Sequence, residues 1–377
     1  MKGVLTVIRW FVGLLFIFSG LIKANDPLGL SYKMQEFFEV WGWHGLNDYT
    51  LALSVLMIAF EIIAGVAVIV AWRMRLFSWL LLILILFFTF LTAYAQFSGK
   101  IKTCGCFGDC IPLTANQSFW KDVILTVLIL IIFVNRNRIK QTLSNTASLV
   151  ILVITTAFSF LSQWYVLRHL PVLDCLPYKK GSNIPENMKI PAGAIPDSVV
   201  ITFVYKKGGQ NVEFTAESFP DDFDESIYTF VKRYDKVVRK GNAEAPIKDF
   251  SLNTMSGSDT TSAILSDPGY NLLFFAKDGS VPVNQYAEIF REIQTTAALR
   301  NLGLVVISAE AEELASQFNQ ENIPAPIIVK CDAVAIKTAA RTNPTLYLVK
   351  AGNVVDKWGS ADLDKAVKTI KKIDGIN

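Results

Sequence analysis

The chain has 377 residues, 52% of them hydrophobic and 18% charged, with a net charge of +3. Charged residues fall short of the roughly quarter share found in soluble globular proteins. That excludes an ordinary soluble enzyme, and with no basic block in the chain a nucleic-acid partner is excluded too.

The apolar excess lies before about residue 170 and the remainder reads as globular sequence, so two or three domains are expected. Five stretches are apolar enough to cross a bilayer, which takes about 20 residues at 1.5 Å each. They are roughly Val4–Ile22, Leu51–Trp72, Leu76–Phe97, Val123–Val134 with its flanks, and Ser148–Leu167. The fourth is the shortest and needs Phe119 and Trp120 to reach across. The first carries Lys2, Arg9 and an apolar core, as a secretory signal does, but no small-x-small cleavage site follows it.

Loop charges set the orientation. Arg73 and Arg75 lie between spans two and three, and Arg136, Arg138 and Lys140 between four and five. The positive-inside rule places both links in the cytoplasm, against weaker opposition from Lys100, Lys102 and Lys121. An odd number of spans then puts the C-terminal half outside, together with the loops Lys23–Tyr49 and Ser98–Ser118. The expectation is a multi-pass protein of the cell inner membrane, in contact with the lipid bilayer, with its C-terminal domain in the periplasm.

Two ionisable residues fall inside spans. Arg9 is near enough to the inner interface to snorkel, whereas Glu61 sits mid-span in "AFEIIAG" and needs a partner or a function. Lys23 and Asp26, at the outer end of the first span, read as a solvated interface.

Three of the five cysteines sit within seven residues, Cys104-Gly105-Cys106-Phe107-Gly108-Asp109-Cys110, in the second outer loop. Disulfide exchange needs a thiolate to attack a disulfide sulfur and a further thiol to resolve the product. Three thiols in one loop supply both, and Gly105 and Gly108 permit the tight backbone that brings sulfurs together. Cys104, Cys106, Cys110 and Glu61 are therefore the candidate catalytic residues. A passive staple is the alternative in an oxidising envelope. A metal centre from the three thiols and Asp109 lacks a convincing fourth ligand, and none is expected.

After the fifth span comes a Pro-rich exit, "LPVLDCLPYKKGSNIP", holding Cys175. Residues 198–240 alternate as strands, with a hairpin at Lys207-Gly208-Gly209. From residue 245 the order is strand "YNLLFFA", helix Asn284–Leu299, strand "LGLVVIS", helix Glu310–Phe318, hairpin "TLYLVKAGNVVDKWG" and closing helix Asp362–Ile373. Such an order predicts a sheet with helices on both faces. With Pro344 entering the hairpin it resembles the thioredoxin fold, which implies a cis Asn343-Pro344 bond. The interval where a thioredoxin carries Cys-x-x-Cys is here Ala276–Asn284, without cysteine. This domain is thereby turned toward binding or scaffolding. Its lone thiol, Cys331, reads as a buried small hydrophobe.

Arg9, "FSGLIKANDP", Glu61 and "CGCFG" make the first 140 or so residues resemble the DoxX-like and MauE-like membrane families. The resemblance implies a four-helix bundle with thiol-redox or quinone-linked roles. Four-helix thiol oxidases such as DsbB and the vitamin K epoxide reductase relatives are similar in architecture, and the whole arrangement resembles Bacteroidetes envelope proteins. The expected organisation is a four-helix core over 1–140, a fifth span over 141–170, a linker with a small β-rich subdomain over 171–244, and a thioredoxin-like domain over 245–377. Two functions follow. One is a thiol-disulfide oxidoreductase acting on an envelope client, with a quinone as the cofactor the resemblance implies. The other is a non-enzymatic scaffold or client-binding protein with a structural disulfide.

Overall fold

A computed structural model describes residues 2–101, 105–239, 241–324 and 326–373. Its first half is helical: α1 (Lys2–Ala24), α2 (Pro27–Trp41), α3 (Thr50–Ile69), α4 (Met74–Ser98), α5 (Ala115–Val134) and α6 (Asn145–His169). All but α2 lie in segments long and apolar enough to span a membrane.

The segment Lys23–Tyr49, expected as a loop, is largely helical, and the cause is local. Asp26 caps α2 by accepting a hydrogen bond from the Gly29 N–H at 3.1 Å, and Pro27 supplies a preset first turn. Gly42 ends the helix at φ +73°. One face of α2 is anchored by Phe37, which packs with Ala95 and Ile101.

Helices α1 and α3 cross at close range. A Cβ on Gly13 would stand 2.8 Å from the Gly65 carbonyl oxygen, and one on Gly65 would stand 2.7 Å from that of Gly13. Small residues at such a crossing let backbones touch and gain dispersion contact where lipid offers no hydrophobic driving force. Around the crossing, Val12, Phe16, Val68, Leu81 and Ile129 form the bundle core.

Beyond α6 come a short α7 (Ile184–Asn187) and the strands β1 (Ser198–Lys207), β2 (Gln210–Thr215) and β3 (Tyr228–Arg239). They form an antiparallel sheet in the order β2-β1-β3, the expected hairpin with one further strand.

The terminal domain runs α8 (Thr261–Leu265), β4 (Tyr270–Phe275), α9 (Ala287–Leu299), β5 (Gly303–Ser308), α10 (Ala311–Gln320), β6 (Ile327–Lys330), α11 (Ala333–Ala339), β7 (Thr345–Lys350), β8 (Asn353–Trp358) and α12 (Leu363–Ile370). The sheet order is β6-β5-β4-β7-β8, with β4, β5 and β6 parallel and the terminal hairpin antiparallel. Alternation divides the core. Leu272 and Phe274 pack on one face with α9, α10 and α12, while Leu273 and Phe275 pack on the other with α11. Asn343-Pro344 is cis. This is the expected thioredoxin-like α/β arrangement.

Its boundary lies earlier than residue 245. Tyr178 and Ile184 belong to the second face's core, and the Ile184 N–H donates to the Gly352 carbonyl at 2.8 Å. Part of the expected linker is therefore built into the domain.

Candidate functional site

Three connections meet at one end of the bundle: the turn after α1, the cysteine loop between α4 and α5, and the chain leaving α6. The described part of the cysteine loop is a run of turns in which Gly105 and Gly108 both have positive φ, a conformation open to glycine at no steric cost. Phe107 plugs the loop into the bundle. It is buried against Phe18 of α1 with ring centroids 5.8 Å apart, and the Lys121 Nζ of α5 lies 5.1 Å from its ring centre.

Beneath the loop is a cavity of about 210 Å³. Its walls are mainly apolar, with Phe16, Phe37, Phe88 and Leu125 among them, and Cys106, Glu61, Lys23, Lys121 and Asp122 reach it. Two sequence-predicted residues, Cys106 and Glu61, thus share one chamber. Cys104 lies outside the described residues.

Glu61 is 1% exposed and its Oε1 accepts from Lys23 Nζ at 2.5 Å; Lys23 is itself 3% exposed and lies over the Phe88 ring at 4.9 Å. The expectation of a solvated Lys23 is corrected here. The lysine turns inward from the end of α1 and pairs with the buried carboxylate of α3, so that neither buried charge is left without its counter-charge. Arg9 does not pair with Glu61; its Nη2 donates to Thr142 Oγ1 at 3.3 Å.

The single hydroxyl proton of Ser19 lies between two acceptors, Glu61 Oε2 and the Cys106 carbonyl oxygen, each 3.1 Å from its Oγ. It can serve one at a time unless Glu61 holds a proton and donates to Ser19. Across the chamber, Lys121 Nζ stands 2.7 Å from Asp122 Oδ1 in a direction that makes an ion pair but no hydrogen bond. Both carboxylate oxygens of the buried Asp122 lack hydrogen-bond partners among the described residues. A buried acceptor left in that state is costly.

Cys110 is bonded to Cys175, 65 residues on and beyond α6, with Cα atoms 4.9 Å apart. Its partner therefore comes from the Pro-rich exit and not from the cysteine stretch. With Cys110 in this bond and Asp109 paired to Arg341, two of the four candidate metal ligands are engaged elsewhere.

The expected solvation of Asp26 is corrected as well. Arg341 of the outer domain, 6% exposed, donates from Nε to Asp26 Oδ2 at 2.8 Å and from Nη2 to Asp109 Oδ2 at 2.9 Å. One guanidinium fork thus joins the end of α1, the cysteine loop and the outer domain. Burial raises the pKa of Asp26, with Arg341 pulling in the opposite direction.

Beside this clamp lies the cysteine-free interval. The Lys277 N–H donates to Asn343 Oδ1 at 3.0 Å, and Lys277 Nζ lies 3.5 Å from the Tyr32 hydroxyl of α2. Burial, helped by Arg341, lowers the Lys277 pKa to about 7. The thioredoxin-like domain therefore turns its would-be dithiol position toward the membrane half. Cys331 is buried, with its pKa pushed up to about 11 by burial, which makes it an inert thiol. Further anchors are His169 Nδ1 with Asp362 Oδ2 at 2.9 Å and the Asp174–Lys357 ion pair.

Sequence reasoning missed Lys23, Asp122, Arg341 and Cys175 as site residues. Asp122 carried a signal, being a carboxylate just inside the start of a span. Arg341 carried none, since an arginine before a strand reads as solvated.

Residues 1–135 match the family model described as methylamine utilisation protein MauE. Residues 199–240 match a domain of unknown function (DUF8463). No curated protein matches the chain. Among solved structures, similarity is found to a secreted Mycobacterium tuberculosis disulfide oxidoreductase homologous to E. coli DsbE, at 16% identity over 33% of this chain and 96% of that one, TM-score 0.27. A thiol:disulfide interchange protein from Bacteroides sp. matches at 16% identity over 32% of this chain and 85% of that one, TM-score 0.25. Arabidopsis thaliana ScoI with copper bound matches at 20% identity over 33% of this chain and 97% of that one, TM-score 0.24.

Proposed function

We propose that this chain is a thiol-disulfide redox protein of the cell inner membrane. In this reading Cys104 and Cys106 are oxidised by a quinone in the bundle cavity and in turn oxidise an envelope client protein. The observation that carries the reading is that Cys106 and Glu61 line the same apolar chamber. The outer domain then stands in the periplasm, as the arginines of the two short links favour.

The residues suit such an acceptor. Phe16, Phe88 and Leu125 offer apolar walls, and Lys23, Lys121 and the Asp122 paired to Lys121 offer polar groups within them. A bound quinone would supply a two-electron, two-proton acceptor; Lys23 and Lys121 would hold its oxygens. The chain's own part is to manage protons. Glu61 keeps Oε1 on Lys23 and Oε2 toward Ser19, whose hydroxyl also reaches the Cys106 backbone carbonyl, so the carboxylate that would take up the thiol protons is held one hydroxyl away from the Cys106 turn. For each turnover two thiols become a disulfide and the quinone becomes the quinol.

The test is quinone reduction by the full chain in lipid nanodiscs, with dithiothreitol as electron donor and a short-chain quinone as acceptor. Wild type should consume the quinone. Cys106→Ser and Cys104→Ser should each lose at least about a hundredfold, as removal of a nucleophile does. Equal rates in wild type and both variants would sink the reading.

The Cys110–Cys175 bond favours a second reading, a client-binding scaffold, because it staples the loop to the exit segment. Under that reading the cysteine variants change stability and leave quinone untouched.

A further inference from the structure

Cys175 is exposed while Cys110 is half-buried, so the two sulfurs of one disulfide meet solvent unequally. The exposed member lies on a cleft of about 890 Å³ between the membrane half and the outer domain. One wall is α2, with Lys33 and Glu36; the other is α11 and its exit, with Val334, Lys337 and Arg341. The cleft is several times larger than the bundle cavity and shares Lys33 with it. A disulfide serving only as a staple has no need of such an approach.

We infer that Cys110–Cys175 is the exchange site for the client, that Cys175 is the sulfur attacked, and that the cleft takes an extended polypeptide segment carrying a cysteine. This rests on the redox reading and adds to it a second site.

The chemistry balances within the chain. A client thiolate attacks Cys175 Sγ, the Cys110–Cys175 bond breaks, and a client–Cys175 disulfide forms. Cys110 leaves as a thiolate and takes a proton from water. A second client thiolate attacks the client sulfur of the mixed disulfide, and Cys175 leaves as a thiolate. The client has lost two electrons and the Cys110/Cys175 pair has gained them. The oxidant that restores the pair is a Cys104–Cys106 disulfide of the same loop, whose electrons pass to the quinone.

Geometry supports this direction. In sequence Cys110 lies four residues from Cys106, inside one run of turns held by the Gly108 N–H to Gly105 carbonyl bond at 3.0 Å. The sulfur nearer the acceptor side is thus the leaving group, and the sulfur nearer solvent meets the client. Lys33, Lys179, Lys337 and Arg341 on the cleft favour the thiolate form of an incoming cysteine, against Glu36, Glu39 and Asp109 on the same walls. Access along the cleft favours an extended chain over a folded surface.

The experiment uses the full chain in nanodiscs and a labelled linear peptide bearing one cysteine, which can form the mixed disulfide and cannot resolve it. Adducts are trapped with acid, digested and mapped by mass. The first adduct is expected on Cys175. Val334→Trp, which narrows the cleft, should lower the ratio of peptide to dithiothreitol exchange rates about tenfold. First adducts on Cys110, Cys106 or Cys104, or an unchanged ratio in Val334→Trp, would overturn the inference. Quinone reduction driven by dithiothreitol is followed in the same sample. If it proceeds without Cys175 adducts, the client site falls and the redox reading stands. If Cys175 adducts form and quinone is untouched, the acceptor step falls and the exchange site stands.

Discussion

The cysteine loop of the membrane half and the interval Ala276–Asn284 of the outer domain are the two places where thiol chemistry would be sought. They have opposite contents. The loop holds Cys106 over a chamber with two ion pairs, and Cys110 in a disulfide. The interval has the right fold around it, with cis Pro344 and Asn343 clamping Lys277, and no sulfur. What differs is the use made of similar resources: in the bundle buried charge surrounds a thiol, whereas in the outer domain buried charge makes a joint. Position in a fold does not by itself confer the chemistry of that fold.

The contrast breaks most directly if the outer domain works alone. A fragment beginning at Leu176, so that Tyr178 and Ile184 are kept for its core, is expected to show no turnover of a model disulfide. An insulin-reduction assay with rates like those of a dithiol enzyme would mean that the domain had been misread.

Next in size is Glu61→Gln in the chamber. It leaves Lys23 buried without its carboxylate, a change that costs about 3–5 kcal/mol when one partner of a buried pair is removed. Thermal melting in detergent should fall accordingly, and Lys23→Met with Glu61→Gln together should recover part of the loss. Wild-type melting of the single variant would show that the pair is dispensable.

Arg341→Met should cost less, about 2–3 kcal/mol, since Asp109 is half open to solvent and recovers water. The expected signature is local: faster amide exchange in α2 and α11, with the strands β4 and β7 unchanged. Uniform loss of protection would instead mark Arg341 as a general stability residue.

Smallest per unit of change is a pH slope. The docked state holds the Lys277 pKa near 7 against an ordinary 10.5. Between those values the unfolded chain binds a proton that the docked one has lost. Stability should therefore rise with pH from about 7 to about 10.5 and be flat below about 7, by at most about 1.4 kcal/mol per pH unit from this group. Lys277→Met should abolish the difference between melting temperatures at pH 7 and pH 9. A slope of the opposite sign in wild type would show that the lysine stays charged in the joint.

How much of this could be read in the residues varies with the range of the forces involved. Spans, the three-stranded sheet and the terminal domain were legible because periodicity and turn chemistry are local. The helix α2 was equally local, announced by Asp26-Pro27 and closed by Gly42, but its mixed face reads as loop beside stronger spans. The strand β6 and helix α11 were hidden in a short apolar run where a single residue, the N-cap Asp332, marks the change from strand to helix. Glu61 was legible because a carboxylate in a span demands an explanation. Lys23 was not, since its inward turn depends on α1 lying close to α3, where a Cβ on Gly20 would meet Ile62 Cγ1 at 2.5 Å. Cys110 was legible as reactive material, but its partner was not, because two membrane crossings separate the two cysteines in sequence and only tertiary structure brings them together.

That last bond also bears on how the chain is made. Cys110 emerges before α5 and Cys175 only after α6. With both helices threaded the two sulfurs share a compartment. A chain that inserts one of the pair and leaves the other behind strands its two cysteines on opposite sides of the lipid, and no oxidant can join them. The bond is therefore a covalent receipt that α5 and α6 did not insert singly, legible on a non-reducing gel after a single cut in the 135–144 link: chains with both helices threaded stay in one piece and those with only one threaded come apart.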